Sequence, residues 1–316
     1  MLYVTGITGH SGRWFLKKLS DEGFKGKIRC VMRESRESAP IKYSVFNKYN
    51  NLDLEFVVGD LNDSEFLISS LKGVSIIVHI ASITYSKEII DAAIFNNVDW
   101  AILVHTTGRY SKYKSASQGY IAIEDEVLRM CDNSGTNQSK LNCTIIRPTM
   151  IYGSSGDRNM YRLIDYLYHH RFFPLFGDGS NLMQPVHARD LGNAYYDILM
   201  RPSKTMNQEY NLSGKNPISY FEVINTIRNQ LNCKIRIIKI PISLSVFAAK
   251  IYNTFFKNAI ITVEQVLRMK EDKAFSHEDA VHDFNYNPLS FEEGIQEEVI
   301  EYLQGVSVNF SNIRYE

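Results

Sequence analysis

The chain has few cysteines and no excess of charge of either sign. Its 316 residues include four cysteines, and none of them forms a Cys-x-x-Cys pair, which suits a reducing compartment better than a disulfide scaffold. Lysine plus arginine equals aspartate plus glutamate at 35 each, so the formal net charge is zero. Nucleic-acid binders that neutralise phosphates need a basic surface, so we expect no nucleic-acid partner. No metal site is predicted.

Long apolar runs are also missing. The most apolar stretch, residues 240–256, is interrupted by Lys250 and Asn253. It is short for a membrane span, which needs about 20 apolar residues. We therefore expect a buried or groove-lining helix there and no membrane span. A strand pattern begins at Met1 with no secretory leader before it, so the expected location is the cytoplasm.

What the first half does contain is an alternation of apolar β-branched runs and helical patterns. The strand patterns cover 1–5, 27–32, 54–58, 74–80, 101–107 and 141–147. The helical patterns cover about 11–22, 63–71, 86–96 and 119–132. Runs that are apolar on both faces are typical of parallel strands covered by helices. The sequence therefore predicts an α/β fold with a Rossmann-type, doubly wound parallel sheet.

After Arg147 the pattern changes to shorter elements separated by Pro and Gly. Helices are predicted near 160–170, 190–200, 219–232, 243–256, 262–270 and 291–304, and strands near 208–212 and 234–240. We predict a dinucleotide-binding domain over 1–153, to which residues 184–212 return. A smaller mixed α/β substrate region follows over 154–304, and a loose tail over 305–316.

The segment TGITGHSG, residues 5–12, connects the first strand to the first helix. Its glycines, Gly6, Gly9 and Gly12, allow a tight turn, a close approach of the backbone to a diphosphate, and close packing of the helix on the sheet. The free N–H groups at the helix N-terminus then face the anion. The remaining donors in this predicted cofactor-binding loop are Thr8, His10 and Ser11.

The end of the second strand indicates which dinucleotide is bound. A carboxylate there holds the ribose 2′-hydroxyl of NAD, whereas an arginine suits the 2′-phosphate of NADP. Met32 occupies the expected acidic position and Arg33 follows it. We favour NADP, bound by Arg33, with NAD as the alternative because Glu34 comes one residue later.

Six motifs in order carry a family resemblance: TGITGHSG, VVGDLND (57–63), VSIIVHIAS (74–82), AILVHTTG (101–108), IIRPTMIYG (145–153) and QPVHARDLGNAYY (184–196). Together they resemble the extended short-chain dehydrogenase/reductase superfamily, in particular the NAD-dependent epimerase/dehydratase group, which often acts on nucleotide sugars. The resemblance implies that Asp60 and Leu61 contact the adenine, although Asp60 could instead cap a helix. It implies that Ile80, Ala81 and Ser82 line the dinucleotide cleft.

The same resemblance implies structural roles for His187 and Asp190, which lock a loop and cap the next helix. It also implies a homodimer.

The family's chemistry uses a strand-end Ser or Thr and a Tyr-x-x-x-Lys pair, whose lysine stabilises a phenolate. Thr106 and Thr107 match the first position, with the register open by one residue. Tyr120 is followed four residues later by Glu124, where lysine belongs. In the other register Glu124 matches the family's helix glutamate. Tyr120 then takes the lysine position, and Ala116 takes the tyrosine position. Neither register restores the pair, and a nearby carboxylate disfavours a phenolate.

Two substitutes are available for the missing pair. Lys112, Tyr113 and Lys114 lie in the loop after the fifth strand, and isoflavone-reductase-like relatives use a lysine without the standard dyad. The alternative is a solvated basic loop. Tyr120 is the second candidate, with helix packing as its alternative role.

Substrate contacts are expected just after RPTMIYG, where the chain turns from the sheet. The candidates are Tyr152, Arg158, Asn159 and Arg162. An arginine there could bind a diphosphate through two parallel hydrogen bonds.

These observations predict an NAD(P)-dependent oxidoreductase or epimerase-type enzyme with an atypical active site. Its expected substrate is a hydroxyl or keto group of a small molecule, such as a nucleotide sugar. The alternative is a non-catalytic NADP(H)-binding regulator or assembly protein.

Overall fold

The computed structural model describes residues 1–33, 43–133, 141–154, 156–157, 159–244, 246 and 263–313. The strands are β1 (Leu2–Thr5), β2 (Ile28–Met32), β3 (Leu54–Val58), β4 (Ile76–His79), β5 (Trp100–Val104), β6 (Asn142–Pro148), β7 (Ile151–Tyr152), β8 (Phe172–Phe176), β9 (Leu182–Met183), β10 (Val186–His187), β11 (Glu209–Leu212), β12 (Ile218–Ser219) and β13 (Arg236–Ile240).

The helices are α1 (His10–Asp21), α2 (Ser64–Ser70), α3 (Ser86–Phe95), α4 (Lys114–Asn133), α5 (Met160–His169), α6 (Ala188–Leu199), α7 (Pro202–Thr205), α8 (Tyr220–Gln230), α9 (Val263–Arg268), α10 (Glu278–Phe284) and α11 (Phe291–Ile313). Three 3₁₀ turns cover Tyr43–Tyr49, Ile83–Tyr85 and Thr107–Tyr110. None of the helices in the described ranges is long and apolar enough to cross a bilayer.

Seven parallel strands form the central sheet in the order β11-β6-β5-β4-β1-β2-β3. The strand order reverses between β1 and β4, as in a doubly wound sheet, so the predicted Rossmann-type fold is confirmed. Because the strands are parallel, their carboxyl ends meet at one edge, where such sheets bind ligands. The predicted glycine loop, Thr106 and Thr107 all follow strands at this edge.

Alternating side chains of each strand fill two apolar layers, one on each face of the sheet. On β5, Trp100, Ile102 and Val104 pack into the layer under α1 and α6, whereas Ala101 and Leu103 pack into the layer under α2, α3 and α4. This burial on both faces explains why the strand patterns in the sequence are continuously apolar.

The chain after β6 alternates between the sheet and a second region. β11 pairs with β6 at the sheet edge, and α6 packs so closely on α1 that a Cβ at Gly192 would meet the backbone N of Phe15 at 2.6 Å. A third apolar core is formed by α5, α8, α11, β8 and β13.

Two predicted segments at the C-terminal side differ from the structure or lie outside it. The loose tail predicted over 305–316 was wrong for residues 305–313, because α11 continues to Ile313. Leu303 and Val306 on this helix still pack on the third core. Residues 314–316, and most of the helix predicted over 243–256, lie outside the described residues.

A buried carboxylate lies where α11 meets the loop after β7. Glu298 accepts a hydrogen bond from the backbone N–H of Gly153 at 2.8 Å, while its Oε1 is buried without a partner among the described atoms. Burial, together with nearby Asp157, raises the pKa of Glu298 to about 8.

The variant Glu298→Gln is expected to reduce the pH dependence of stability. Because the folded pKa of about 8 exceeds an unfolded value of about 4.3, the folded state favours the protonated acid, and its stability falls as the pH rises through that interval. Chemical denaturation between about pH 5 and pH 9 should show this fall in the parent and a flatter profile in the variant. Glu292→Gln, an exposed change on the same helix, is the control. Identical slopes for Glu298→Gln and the parent would contradict this assignment.

Candidate functional site at the carboxyl edge of the sheet

The glycine loop between β1 and α1 is packed too tightly for side chains at two of its positions. Gly6 has a φ of +74°, and a Cβ there would lie 2.7 Å from the backbone N of Ala81. A Cβ at Gly12 would overlap the carbonyl oxygen of Gly6. Both glycines are therefore required by the packing of this loop against β4 and of α1 against the loop.

Gly9 has a different role, because packing does not exclude a side chain there. A Cβ at Gly9 would meet only the Gly6 carbonyl oxygen, at 3.2 Å. Gly9 is the N-cap of α1, and within the described chain no side chain caps this end and no acidic residue lies in its first turn. Unpartnered N–H groups and the helix dipole favour an anion at this position. The loop thus fits the diphosphate of a dinucleotide.

The other predicted loop residues face different neighbours. Ser11 accepts a hydrogen bond from the hydroxyl of Tyr195 on α6 at 3.3 Å, and Nδ1 of His10 bonds the hydroxyl of Ser154. Thr8 is exposed. The side chains of His10 and Ser11 therefore tie α1 to the loop after β7 and to α6, and neither of them caps the N-terminus of α1.

A buried histidine holds the segment after β4. The hydroxyl of Thr5 lies 2.7 Å from Nδ1 of His79, and Nε2 of His79 lies 3.2 Å from the carbonyl oxygen of Ser82. The backbone N–H of Ala81 donates to the Thr5 hydroxyl at 3.3 Å. Burial lowers the pKa of His79 to about 3, so the ring is neutral and can make both bonds. Ile80, Ala81 and Ser82 are thereby held beside Gly6. His79 was not predicted from the sequence, where its only signal is a polar residue at the end of an apolar strand.

The predicted adenine-end residues follow β2 and β3. The guanidinium of Arg33 donates to the hydroxyl of Tyr85 at 3.0 Å. Oδ1 of Asp60 accepts from the backbone and the side-chain nitrogens of Asn62, both at 2.9 Å. The alternative cap role of Asp60 was wrong, because Asp63 caps α2. Leu61 is buried.

Of the two predicted threonines, Thr107 lines a cavity. Its hydroxyl donates to the carbonyl oxygen of Pro148 at 3.1 Å, and its side chain borders a cavity of about 250 Å³. Thr106 instead accepts from the N–H of Gly108 at 3.0 Å and caps the 3₁₀ turn.

The far side of this cavity comes from the segment after α9, which sequence analysis missed. Glu271 accepts from the Ser111 hydroxyl at 2.8 Å and from the Lys112 backbone N–H at 2.6 Å, so the segment is tied to the loop after β5. Lys112 and Lys273 both line the cavity. Burial lowers the pKa of the Lys273 ammonium, and Arg268 adds to this effect.

Besides Thr106, three of the predicted catalytic residues are not among the residues that border this cavity in the described structure. Lys114 is the exposed first residue of α4, and Tyr113 is half-buried before it. Tyr120 is 37% exposed, with its ring against Gly108.

Glu124, at the expected lysine position, is the centre of a buried ionic cluster. Its carboxylate lies 2.8 Å from Nδ1 of His105 and accepts from Nε and Nη2 of Arg147 at 2.9 and 2.5 Å. Arg109 also pairs with it. Burial and the two arginines lower the pKa of His105 to about 3. Neutral His105 can then donate to Glu124 and accept from the Ser86 hydroxyl, 3.2 Å from Nε2.

The predicted substrate contacts are not brought together. Tyr152 was expected at the substrate but is buried in the core, with its ring edge-on to His187 and tilted against Phe291, because β7 runs beneath α11. Asn159 and Arg162 are exposed around the start of α5 and do not border the cavity described above. Arg158 lies outside the described residues.

The predicted structural pair is confirmed. Nδ1 of His187 accepts from the N–H of Arg189 and caps α6, and Asp190 accepts from the N–H of Leu289 at 2.9 Å. No cluster of three or more metal-ligating His, Cys, Asp or Glu side chains occurs in the part of the chain that the structure describes.

The comparisons with known proteins agree with this fold. A sequence model of the NAD dependent epimerase/dehydratase family matches residues 105–213. Short-chain dehydrogenase/reductase family 42E member 1 of Danio rerio is 24% identical over 211 residues, 62% of this chain and 52% of that protein. Phenylcoumaran benzylic ether reductase POP1 of Populus trichocarpa is 31% identical over 78 residues, a quarter of each chain. The matches thus span about half or less of these relatives' length.

Solved structures show the same fold over nearly the whole chain. The crystal structure of gox2253 has a TM-score of 0.77 at 18% identity and covers 96% of this chain and 98% of its own. UDP-glucuronic acid 4-epimerase from Bacillus cereus, solved with UDP-glucuronic acid and NAD, has a TM-score of 0.71 at 16% identity and covers 96% and 99%. The family model thus matches about a third of the chain, and the predicted resemblance to the NAD-dependent epimerase/dehydratase family is confirmed over residues 105–213.

The variant Gly12→Ala should lose stability, and with it the cofactor loop. The added methyl group overlaps the Gly6 carbonyl oxygen, and such overpacking costs about 1–3 kcal/mol or more. Denaturant unfolding measures this loss. Gly119→Ala on α4 is the matched control, because a Cβ there meets open space and alanine favours a helix by up to about 1 kcal/mol. Equal stability of the two variants would show that the loop can relax around a side chain.

Proposed function

We propose that this protein is a nicotinamide-dinucleotide-dependent oxidoreductase or epimerase-type enzyme that acts on a hydroxyl or keto group of a small molecule. The observation that carries the proposal is the position of Thr107. Its hydroxyl borders a cavity at the same sheet edge as the open N-terminus of α1 and the segment Ile80–Ser82. An uncapped helix N-terminus and a cavity along one sheet edge support the proposal, because dinucleotide-dependent enzymes of this fold bind their ligands at that edge.

The proposed cofactor lies along that edge. The N–H groups at the start of α1 hold the diphosphate, and Asp60 and Leu61 contact the adenine. Arg33 binds a 2′-phosphate, which favours NADP over NAD. The bound dinucleotide supplies or accepts a hydride, and the residues of this chain orient it and exclude water.

On the substrate side we propose that Thr107 bonds the reacting oxygen and that Lys112 lies nearby, since both border the cavity. Four other residues were predicted from the sequence to be catalytic, and none of them borders this cavity in the described structure: Thr106, Tyr113, Lys114 and Tyr120.

A nucleotide sugar is the proposed substrate class. The structural neighbours solved with UDP-glucuronic acid or UDP-glucose support it, whereas Asn159 and Arg162 lie outside the cavity that Thr107 borders. A homodimer and a cytoplasmic location stay predictions.

A second function is favoured by the environment of Glu124. The Glu124 carboxylate is buried and pairs with His105, Arg109 and Arg147. This environment favours the alignment in which Glu124 matches the family's helix glutamate and not the lysine of the Tyr-x-x-x-Lys pair. Tyr120 then stands at the lysine position and Ala116 at the tyrosine position. A protein without that pair could bind NADP(H) as a regulator or assembly subunit and perform no hydride transfer. Such a protein would bind the dinucleotide and turn over no substrate.

Thermal melts with NADP(H) and NAD(H) test the cofactor. A ligand at about 100 times its Kd adds roughly 2.7 kcal/mol to the stability of the folded state, so we expect a clear rise in Tm, larger for NADP(H). Arg33→Ser should remove most of the preference for NADP(H), because hydrogen bonds to charged groups contribute about 1.5–3 kcal/mol. Arg129→Ser, an exposed change on α4, is the control.

The same melts and a turnover screen separate the two functions. A shift with NADP(H), followed by turnover of a nucleotide sugar or a simple carbonyl compound, supports the enzyme. A shift without any turnover supports the regulator. No shift with either dinucleotide contradicts both.

A further inference from the structure

Tyr110 lies in the cavity beside Thr107, and sequence analysis did not single it out. The two residues begin and end the 3₁₀ turn Thr107–Tyr110. Side chains three residues apart in a 3₁₀ helix project in the same direction, because the helix has three residues per turn. Both residues border the same cavity, and the Tyr110 ring lies 5.3 Å from the ring of Phe275, which borders it as well.

The phenol of Tyr110 is bonded directly to a cation. Nη1 of Arg147 donates to its oxygen at 3.0 Å, and the hydroxyl donates in turn to Oδ1 of Asn211 at 3.2 Å. The guanidinium carbons of Arg147 and Arg109 lie 5.7 and 5.9 Å from the centre of the ring. A hydrogen bond donated by a guanidinium stabilises the phenolate form of a tyrosine relative to the phenol.

Arg147 is held in this position by the carboxylate that replaces the expected lysine. Glu124 accepts two hydrogen bonds from Arg147, and the same guanidinium also pairs with Glu209. The two carboxylates balance the charges of Arg147 and Arg109, so Arg147 acts on the Tyr110 hydroxyl mainly through the direct hydrogen bond. Among the described contacts, no cation lies at the hydroxyl of Tyr113 or Tyr120.

We propose that Tyr110 is the proton-transferring residue of the proposed enzyme and that Arg147 takes the part of the missing lysine. The inference rests on the proposed function, which supplies the hydride. When a substrate carbonyl carbon accepts that hydride from the reduced dinucleotide, the phenolic O–H bond breaks and a new O–H bond forms on the substrate oxygen. The substrate oxygen replaces Asn211 as the acceptor. The phenolate left beside Arg147 takes a proton from water, and oxidation of an alcohol runs the same steps in reverse.

The first test needs no substrate. Tetranitromethane nitrates tyrosines through the phenolate, and Tyr110, Tyr120 and Tyr168 have similar exposed fractions of 42%, 37% and 37%. With the intact protein at mildly alkaline pH, we expect Tyr110 to be nitrated several-fold faster than Tyr120 and Tyr168, as measured by peptide mass spectrometry. Nitration of Tyr110 at the rate of Tyr168 or more slowly would overturn the proposal.

The second test uses the variant Tyr110→Phe, with Tyr168→Phe as the matched control. Loss of a general acid lowers kcat by about 100-fold or more, whereas the affinity for NADP(H), measured by calorimetry, should stay unchanged. A Tyr110→Phe protein with full turnover, or one in which Tyr120→Phe alone abolishes turnover, would overturn the assignment. If the parent protein binds neither dinucleotide, the proposed function itself fails, and calorimetry distinguishes that result from a failure of the Tyr110 assignment.

Discussion

The ion pairs of one buried carboxylate connect the elements that shape the cleft. Glu124 on α4 bonds His105 just after β5, Arg109 in the following 3₁₀ turn, and Arg147 on β6. Each of these residues lies next to the cavity-lining segments that begin at Thr107 and Thr149. A charge buried in this way costs several kcal/mol to desolvate and is tolerated only when it is fully paired. The exit of β5, the turn that carries Thr107 and the end of β6 therefore depend on Glu124.

A second constraint acts at the other end of the cleft, where backbone approaches backbone. Gly6 touches the chain at Ala81, and Gly12 touches Gly6, so β1, β4 and α1 meet without intervening side chains. Thr5 and His79 fix the same junction with a short chain of hydrogen bonds. A Cβ at Gly9 would meet only the Gly6 carbonyl oxygen, at 3.2 Å, and within the described chain no side chain caps the N-terminus of α1. Close packing holds the loop in place, and the N–H groups at the start of α1 are the ones that we propose hold the diphosphate.

The sheet and most helices could be predicted because burial on both faces of a parallel strand leaves a continuous apolar run in the sequence. The glycine loop could be predicted because its spacing follows a strand and precedes a helix. The helix cap formed by His187 was predictable from the family motif. In these cases the physical cause lies within a few neighbouring residues.

The parts that failed involve contacts between residues that are distant in the sequence. Nothing near Glu124 in the sequence reveals that Arg147, 23 positions away, neutralises it. Tyr152 lies in the motif RPTMIYG, which was expected to turn toward substrate, but α11 covers it, and α11 begins at Phe291. Glu271 reaches Ser111 across 160 positions, so no local pattern marks its segment as a wall of the cavity. Only the fold brings these groups together.

The variant Glu124→Lys tests the central claim most directly, because it restores a Tyr-x-x-x-Lys pattern from Tyr120 while it removes the carboxylate from the cluster. The account predicts a loss of about 3–5 kcal/mol or more in the free energy of unfolding, since a buried lysine would face Arg109 and Arg147 with no partner. It also predicts no gain in turnover. A variant as stable as the parent, with increased hydride transfer, would contradict the claim that Glu124 organises this site.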